Sequence, residues 1–527
     1  MNRLQAHLCF VAGLATVGAF YACGSSSNGN SGGTPPPSEA GPDQTSSSSS
    51  GSSSGAGEAS TDGNEDAGPL ACGELPGTIV YVLADDTQEP LLKVLGRQLR
   101  DDANISLAFA LTPSCALTST LFSGGLIPGG TNLLYVPSTA EDPSWKPSDP
   151  ERTCIGAPVN GPPPNLGISA LSPTSCQGLG LPPSGIGLLN GPVQAYTFVV
   201  PTAEFASQKS ISAAEAYYAF GDGAKNPVTY NGAPEWNDPT QFFLRPATAS
   251  SLVASALTAG LTPAQMTFSM GDGGPADGRH LLGTPAEVIA DVKAATSAQA
   301  IGLIENSAYG ANQGIGALAF AAFGQTYAFY PDSTTTTPDK QNVRDGHYAN
   351  WSSTFYITQV DNNGVPANAA VKYVTDLVFG VPGATPPSGY AEGGVPIDGL
   401  ADVASVGFVP NCAMQVQRVA GEGQPLSPFA PAYPCTCYFL SKVQGAQLPA
   451  SCTTCKSLSD CNVDGALGCL NGYCESPPSQ PTTGQPGCAV SDGTNDGILN
   501  ACTGAVYEQK ANLVIPQSDG GLLPLNP

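Results

Sequence analysis

The sequence predicts an α/β body over residues 72–410, followed by a small, irregular, disulfide-rich module over 411–480. Three observations carry this. Apolar strand-like runs alternate with amphipathic helix patterns from Thr78 to Gly380, the arrangement of a sheet covered by helices. Ten of the sixteen cysteines follow residue 410. The N-terminus reads as an export signal, which places the chain where disulfides persist.

The export reading rests on Arg3 followed by the uncharged run Leu8 to Ala22. Fifteen residues are short for a membrane span and match a signal-peptide apolar region, so 1–22 is expected to be a signal peptide. The run ends at Ala22-Cys23-Gly24, which resembles the bacterial lipobox, with Phe20 where that pattern has Leu. Lipidation of Cys23 is expected, with plain secretion as the alternative. Residues 24–71 hold no aromatic residue, Lys or Arg. Such a segment buries too little to repay its ordering entropy. It is expected to be a flexible tether from the anchor, with an r.m.s. reach of about 35–42 Å.

The body begins with the β-branched strand 78–84, "TIVYVLA", and the helix 90–102 with Leu91, Leu92, Leu95 and Leu99 on one face. Strands are expected at "ISLAFAL", 131–137, 165–171 and 193–201. Ser212 and Glu215 have capping-box spacing at the start of a helix that stops at Gly221. Strand "QFFLRP", helices "SSLVASALTAG" and "TPAEVIADVKAAT", strand "AIGLIEN" and helix "NAAVKYVTDLVFG" follow. The uncharged stretch Gly314 to Tyr330 is interrupted by Gln325 and Thr326 and weakened by glycines, so it reads as a buried helix or strand pair rather than a membrane span. Residues 481–527 read as an irregular tail.

Composition excludes one class of partner. The formal charge is −24, and eighteen Lys and Arg are scattered singly. Nucleic acid needs clustered cations to neutralise phosphates. Fourteen cysteines remain once Cys9 and Cys23 are set aside, an even number. Cys154 is expected to pair with Cys176, and Cys72 and Cys115 to be oxidised, with each other as one alternative. Zinc at Cys452-x-x-Cys455 is the weaker alternative, because no His lies near. No metal or cofactor is expected.

In the order and wording of these segments, residues 78–380 resemble the phosphate-type periplasmic substrate-binding proteins of ABC transporters. "ADDTQEPLLKVLGRQL", "NLGISALSPTSC", "GPVQAYTFVVPTAEFASQKSISAAEAYYAFG", "FFLRPATASSLVASAL", "AIGLIEN" and "NVRDGHYANW" carry the likeness. The resemblance implies a two-lobed α/β fold with a ligand cleft, the chain crossing between lobes near 192–202 and 320–345. It implies an extracytoplasmic receptor that closes on a small polar solute or oxyanion, with an ABC permease as partner and no catalysis.

An oxyanion is held best by helix N-termini, hydroxyls and an Arg. Two loops have that form. One is Asp85-Asp86-Thr87-Gln88, and the other runs from Arg245 through Thr248 and Ala249 to Ser250 and Ser251. The candidate ligand-binding residues are Asp86, Thr87, Gln88, Arg245, Thr248, Ser250 and Ser251. Family members carry Gly-Ser-Ser/Thr at the first loop and Ser-Gly-Thr after the Arg at the second. Here Asp85 and Asp86 stand where an anion would approach. Asp86, Thr87, Ser250 and Ser251 have a plainer reading as helix caps, and Arg245 as a structural ion pair. In "NVRDGHYANW", Arg344 and Asp345 are expected to pair at a hinge, with Gly346 permitting the bend and His347, Tyr348 and Trp351 packed beneath. No G-x-S-x-G elbow stands in the strand-and-helix region. The alternative function is a lipid-anchored surface structural or interaction protein that reuses the fold, which the cysteine-rich appendage favours.

Overall fold

The computed structural model describes residues 70–476, apart from 158–160, 206–207, 222–235, 269–276, 310–313, 335–336 and 462–467, together with three short strands at 506–508, 514–516 and 522–524. The signal segment, Cys23 and nearly all of the tether lie outside the described residues.

The first lobe opens with β1 (Thr78–Ala84), α1 (Glu89–Ala103), β2 (Ile105–Leu111), α2 (Ser114–Phe122), β3 (Asn132–Tyr135), β4 (Arg152–Ile155) and β5 (Leu166–Ser169). Strand β1 pairs in parallel with β2 and β5. Helix α1 buries Leu91, Leu92, Leu95 and Leu99 on the sheet and ends at Asn104 in the left-handed region, φ 52°. Short polar side chains reach that conformation more readily than most residues.

Strand β6 (Ile186–Pro201) is the spine. Its first part, through Ala195, pairs with a returning strand of lobe one; from Tyr196 on it pairs with strands of lobe two. Lobe two follows as α3 (Thr202–Phe205), β7 (Ser210–Ser212), α4 (Ala213–Gly221), β8 (Phe242–Leu244), α5 (Ser250–Thr258), α6 (Pro263–Met266), β9 (His280–Leu281), α7 (Pro285–Ala294), β10 (Ile301–Glu305) and α8 (Asn306–Tyr309). The capping box at Ser212 and Glu215 forms, each side chain accepting from the other's main-chain N–H, at 3.0 and 2.6 Å.

The uncharged stretch becomes β11 (Ile315–Ala317), β12 (Ala319–Ala321) and β13 (Tyr327–Phe329), all buried. Gln325 makes the turn, accepting from Ala322 N. Among the described residues no helix is long and apolar enough to cross a membrane. After α9 (Gln341–Arg344), strand β14 (Trp351–Gln359) returns antiparallel between β5 and β6. Helices α10 (Ala369–Phe379) and α11 (Gly399–Ser405) complete lobe one. One sheet therefore runs β4-β3-β2-β1-β5-β14-β6-β10-β8-β9, with β11 beside β6. This is a two-lobed α/β architecture whose lobes share β6.

The expected Arg344–Asp345 pair is not made. Arg344 is fully buried, donates to Gln341 Oε1 and Asp339 O, and stacks on Phe439. Asp345 turns instead to His347, accepting from its main-chain N–H and lying 2.7 Å from Nδ1. Arg344 ends α9 and Asp345 follows it in the same right-handed conformation, and side chains at consecutive helical positions do not face each other.

The chain then builds hairpin β15 (Val416–Arg418) and β16 (Leu426–Pro428), helix α12 (Thr436–Lys442), and hairpin β17 (Gly468–Leu470) and β18 (Tyr473–Glu475). Cys437–Cys452, Cys455–Cys469 and Cys461–Cys474 staple the last part. Glu475 caps α12, accepting from Cys437 N and Tyr438 N. Cys412, Met414, Val416, Cys435 and Phe439 belong to the same apolar core as Leu252 and Val253 of lobe two.

The pairing of the first four cysteines corrects the expectation. Cys72 bonds Cys154, and Cys115 bonds Cys176. Sheet order explains why. Cys154 lies on β4, four strand intervals from β5, or about 19 Å at ~4.8 Å per strand. Cys176 follows β5 and is thus beyond disulfide reach of Cys154. The entering chain instead runs beside β4, where Ile155 N donates to Leu70 O.

Candidate functional site

The carboxyl end of β1 delivers the 85–88 loop to the front of lobe one, and the end of β8 delivers Arg245 to the front of lobe two. Between them lies a cleft of about 260 Å³. Its polar lining comes from Asp85, Asp86, Thr112, Arg245 and Thr248.

Asp85 is buried at 1 % exposure and accepts five hydrogen bonds. Its Oδ1 takes Thr87 N (3.2 Å), Thr87 Oγ1 (2.8 Å) and Ser250 Oγ (2.9 Å). Its Oδ2 takes Ser114 N (3.1 Å) and Ser114 Oγ (2.6 Å). Ser114 opens α2 and Ser250 opens α5; neither helix has a side-chain cap at its N-cap residue. The carboxylate therefore stands before two helix starts, one in each lobe. Burial and the neighbouring Asp86 push its pKa up to about 6, against the opposing pull of these donors.

Arg245 is buried at 2 % exposure. Its Nη2 lies 2.6 Å from Asp86 Oδ2, and its Nη1 lies 3.4 Å from Glu305 Oε1 at the end of β10. Burial raises the Glu305 pKa, and the Arg245 charge pulls it back. Arg245 Nε has no hydrogen-bond partner among the described residues. Two carboxylates thus flank one guanidinium. Thr248 is exposed at the cleft, while Ser251 is buried in the first turn of α5. Gln88 turns inward and donates to Gln194 Oε1 of β6 (3.2 Å) and to Thr87 Oγ1 (3.1 Å).

Of the sequence candidates, Asp86, Arg245 and Thr248 line the cleft; Thr87 and Ser250 face Asp85; Gln88 and Ser251 are buried. Sequence reading missed Ser114, Glu305 and Gln194. Pro113-Ser114 is a helix-start signal, and Glu305 is a lone carboxylate closing an apolar strand; both were available. His347 lies between Asp345 and Phe329, whose ring centroid is 4.8 Å away. In the stapled module, the Cys455, Cys461 and Cys474 sulfurs lie within 4.8 Å of one another, and each is in a disulfide.

No family model and no curated protein matches the chain. Solved structures with a similar course include an ABC-type phosphate transport receptor from Vibrio cholerae, at 11% identity and TM-score 0.35, covering 54% of this chain and 88% of that one. A possible phosphate binding protein from Planctomyces limnophilus DSM 3776 gives 11% and 0.37, over 63% and 93%. PstS from Borrelia burgdorferi gives 13% and 0.34, over 63% and 98%.

Proposed function

We propose that the chain is a lipid-anchored extracytoplasmic solute-binding protein that performs no chemistry, and that its cleft takes a small oxyanion in protonated form. The anchor is Cys23 and the tether 24–71, as the N-terminal sequence suggests. An ABC permease is the partner that a receptor of this kind serves.

The observation that carries the ligand class is Asp86 in the cleft, paired with Arg245. Arg245 offers one positive charge, already shared with Glu305. Thr112 and Thr248 line the same space with hydroxyls. A fully ionised oxyanion meets Asp85, Asp86 and Glu305 as like charges. An oxyanion that keeps one proton donates it to Asp86 and accepts from the hydroxyls and the guanidinium. Calorimetry with phosphate below and above its second pKa tests this. Tighter binding of the doubly charged form would overturn it.

A second reading has its own observation. The Ser114 and Ser250 hydroxyls at the two helix starts are already engaged by Asp85. A protein whose helix-start hydroxyls are taken up by its own carboxylate fits a surface scaffold that keeps the fold without transport. Absence of heat from every small solute tried, including protonated phosphate, selects it.

A further inference from the structure

We infer that the Asp85 carboxylate is a built-in ligand: it occupies an oxyanion cradle between the lobes and excludes free carboxylates and oxyanions from it. This goes beyond the reading above, which concerns the outer cleft at Asp86.

Three features support it. First, five donors converge on one carboxylate, using both oxygens. A helix cap commonly needs only one or two such bonds. Second, the donors come from both lobes: Thr87 and Ser114 from lobe one, Ser250 from lobe two. A carboxylate that bridges two lobes does the mechanical work of a closing ligand. Third, the wall beside it holds an unmatched donor. Arg245 lines the same cleft at 2 % exposure, and its Nε has no partner among the described residues. Buried orphan donors are rare, and this one belongs to a side chain that lines the cleft.

The chemistry of the occupant follows from the occupant itself. A planar carboxylate fits the donors, because one already sits there. Formate is the smallest free equivalent. In wild type, Asp85 is held in position by the fold and present at an effective concentration no millimolar solute can match. Truncation to glycine removes the carboxylate and leaves the donors of Thr87, Ser114 and Ser250 in place.

The experiment is thermal unfolding of wild type, Asp85→Gly and Asp85→Ser in sodium formate, with sodium chloride at matched ionic strength. Both variants are expected to melt lower than wild type. Formate should raise their Tm saturably by roughly several degrees, and leave wild type at its chloride value. Adding Ser250→Ala should weaken the formate response by roughly tenfold in midpoint concentration. Sulfate in place of formate distinguishes a tetrahedral from a planar preference. Where Asp85→Gly does not fold in chloride, its refolding yield from urea is read with and without formate. A variant response equal to chloride, or a wild-type response equal to the variants', overturns the inference. So does a refolding yield indifferent to formate.

Discussion

The cleft joins the lobes with side chains alone: Asp86 to Arg245, and Asp85 to Ser250. Hairpin β15–β16 joins them differently. It packs on lobe two through Val416 and Met414, and Gly423 sits against the Leu257 carbonyl so closely that a Cβ would approach to 2.3 Å. It grips lobe one through Glu422, which accepts from Ser172 N (3.1 Å) and Ser175 Oγ. Thr174 Oγ1 adds a bond to Ala420 O. The Cys412–Cys435 bond closes the base, and Arg418 stacks 4.5 Å from the Trp351 ring. Both junctions hold a buried carboxylate, Asp85 at one and Glu422 at the other; the hairpin adds an apolar seat on lobe two and a disulfide at its own base. The difference teaches where motion belongs. Opening should part the cleft and pivot near the hairpin.

The largest expected effect breaks the cleft side. Arg245→Ala strips the buried Glu305 of its counter-charge. Loss of one partner of such a pair costs about 3–5 kcal/mol. Urea denaturation should show that loss, and adding Glu305→Gln should recover most of it. No recovery in the double variant would mean the pair is not coupled.

The hairpin side comes next. The double variant Cys412→Ser, Cys435→Ser opens a loop spanning 23 positions, a cost of about 3 kcal/mol in the chain-entropy model. Small-angle scattering should then show lobes that separate more readily. An unchanged scattering profile and unchanged stability would remove the hairpin from the comparison.

A pH series sharpens the cleft side. The folded pKa of Asp85, about 6, lies above its ordinary value of 3.8. The native state therefore binds more protons between these values, and stability falls as pH rises from about 4 to 6, by at most about 3 kcal/mol. Asp402, raised to about 7 by burial, adds a fall of the same sign. The wild-type curve minus that of Asp85→Asn isolates the first group. Identical slopes would contradict the assignment.

Asp86→Asn should change least. Its side chain is 42% exposed, so its pair with Arg245 is worth at most about 1 kcal/mol. Its effect should appear in ligand preference instead.

The elements of the body were legible because periodicity and capping are local. The box at Ser212 and Glu215, the apolar face of α1 and the stop at Gly380 need only neighbouring residues. Topology is not local, and that is where reading failed. Cys154 and Cys176 are close in sequence and four strands apart in the sheet. The candidate site was half legible. The loop chemistry at 85–88 and Arg245 stood out, but the roles of Ser114 and Glu305 depend on strands that meet only in the fold. The partner of Arg344 was misread because adjacency in sequence stood in for contact, whereas consecutive positions at the end of α9 point apart.

The most direct test of the ligand claim is calorimetric titration of wild type with phosphate at pH 5 and pH 8.5, with sulfate alongside at both. Heat is expected from phosphate at pH 5, where it keeps a proton for Asp86, and much weaker heat at pH 8.5. Sulfate, which has no proton to give, should bind at neither. Sulfate binding at pH 5, or phosphate binding more tightly at pH 8.5, would contradict it.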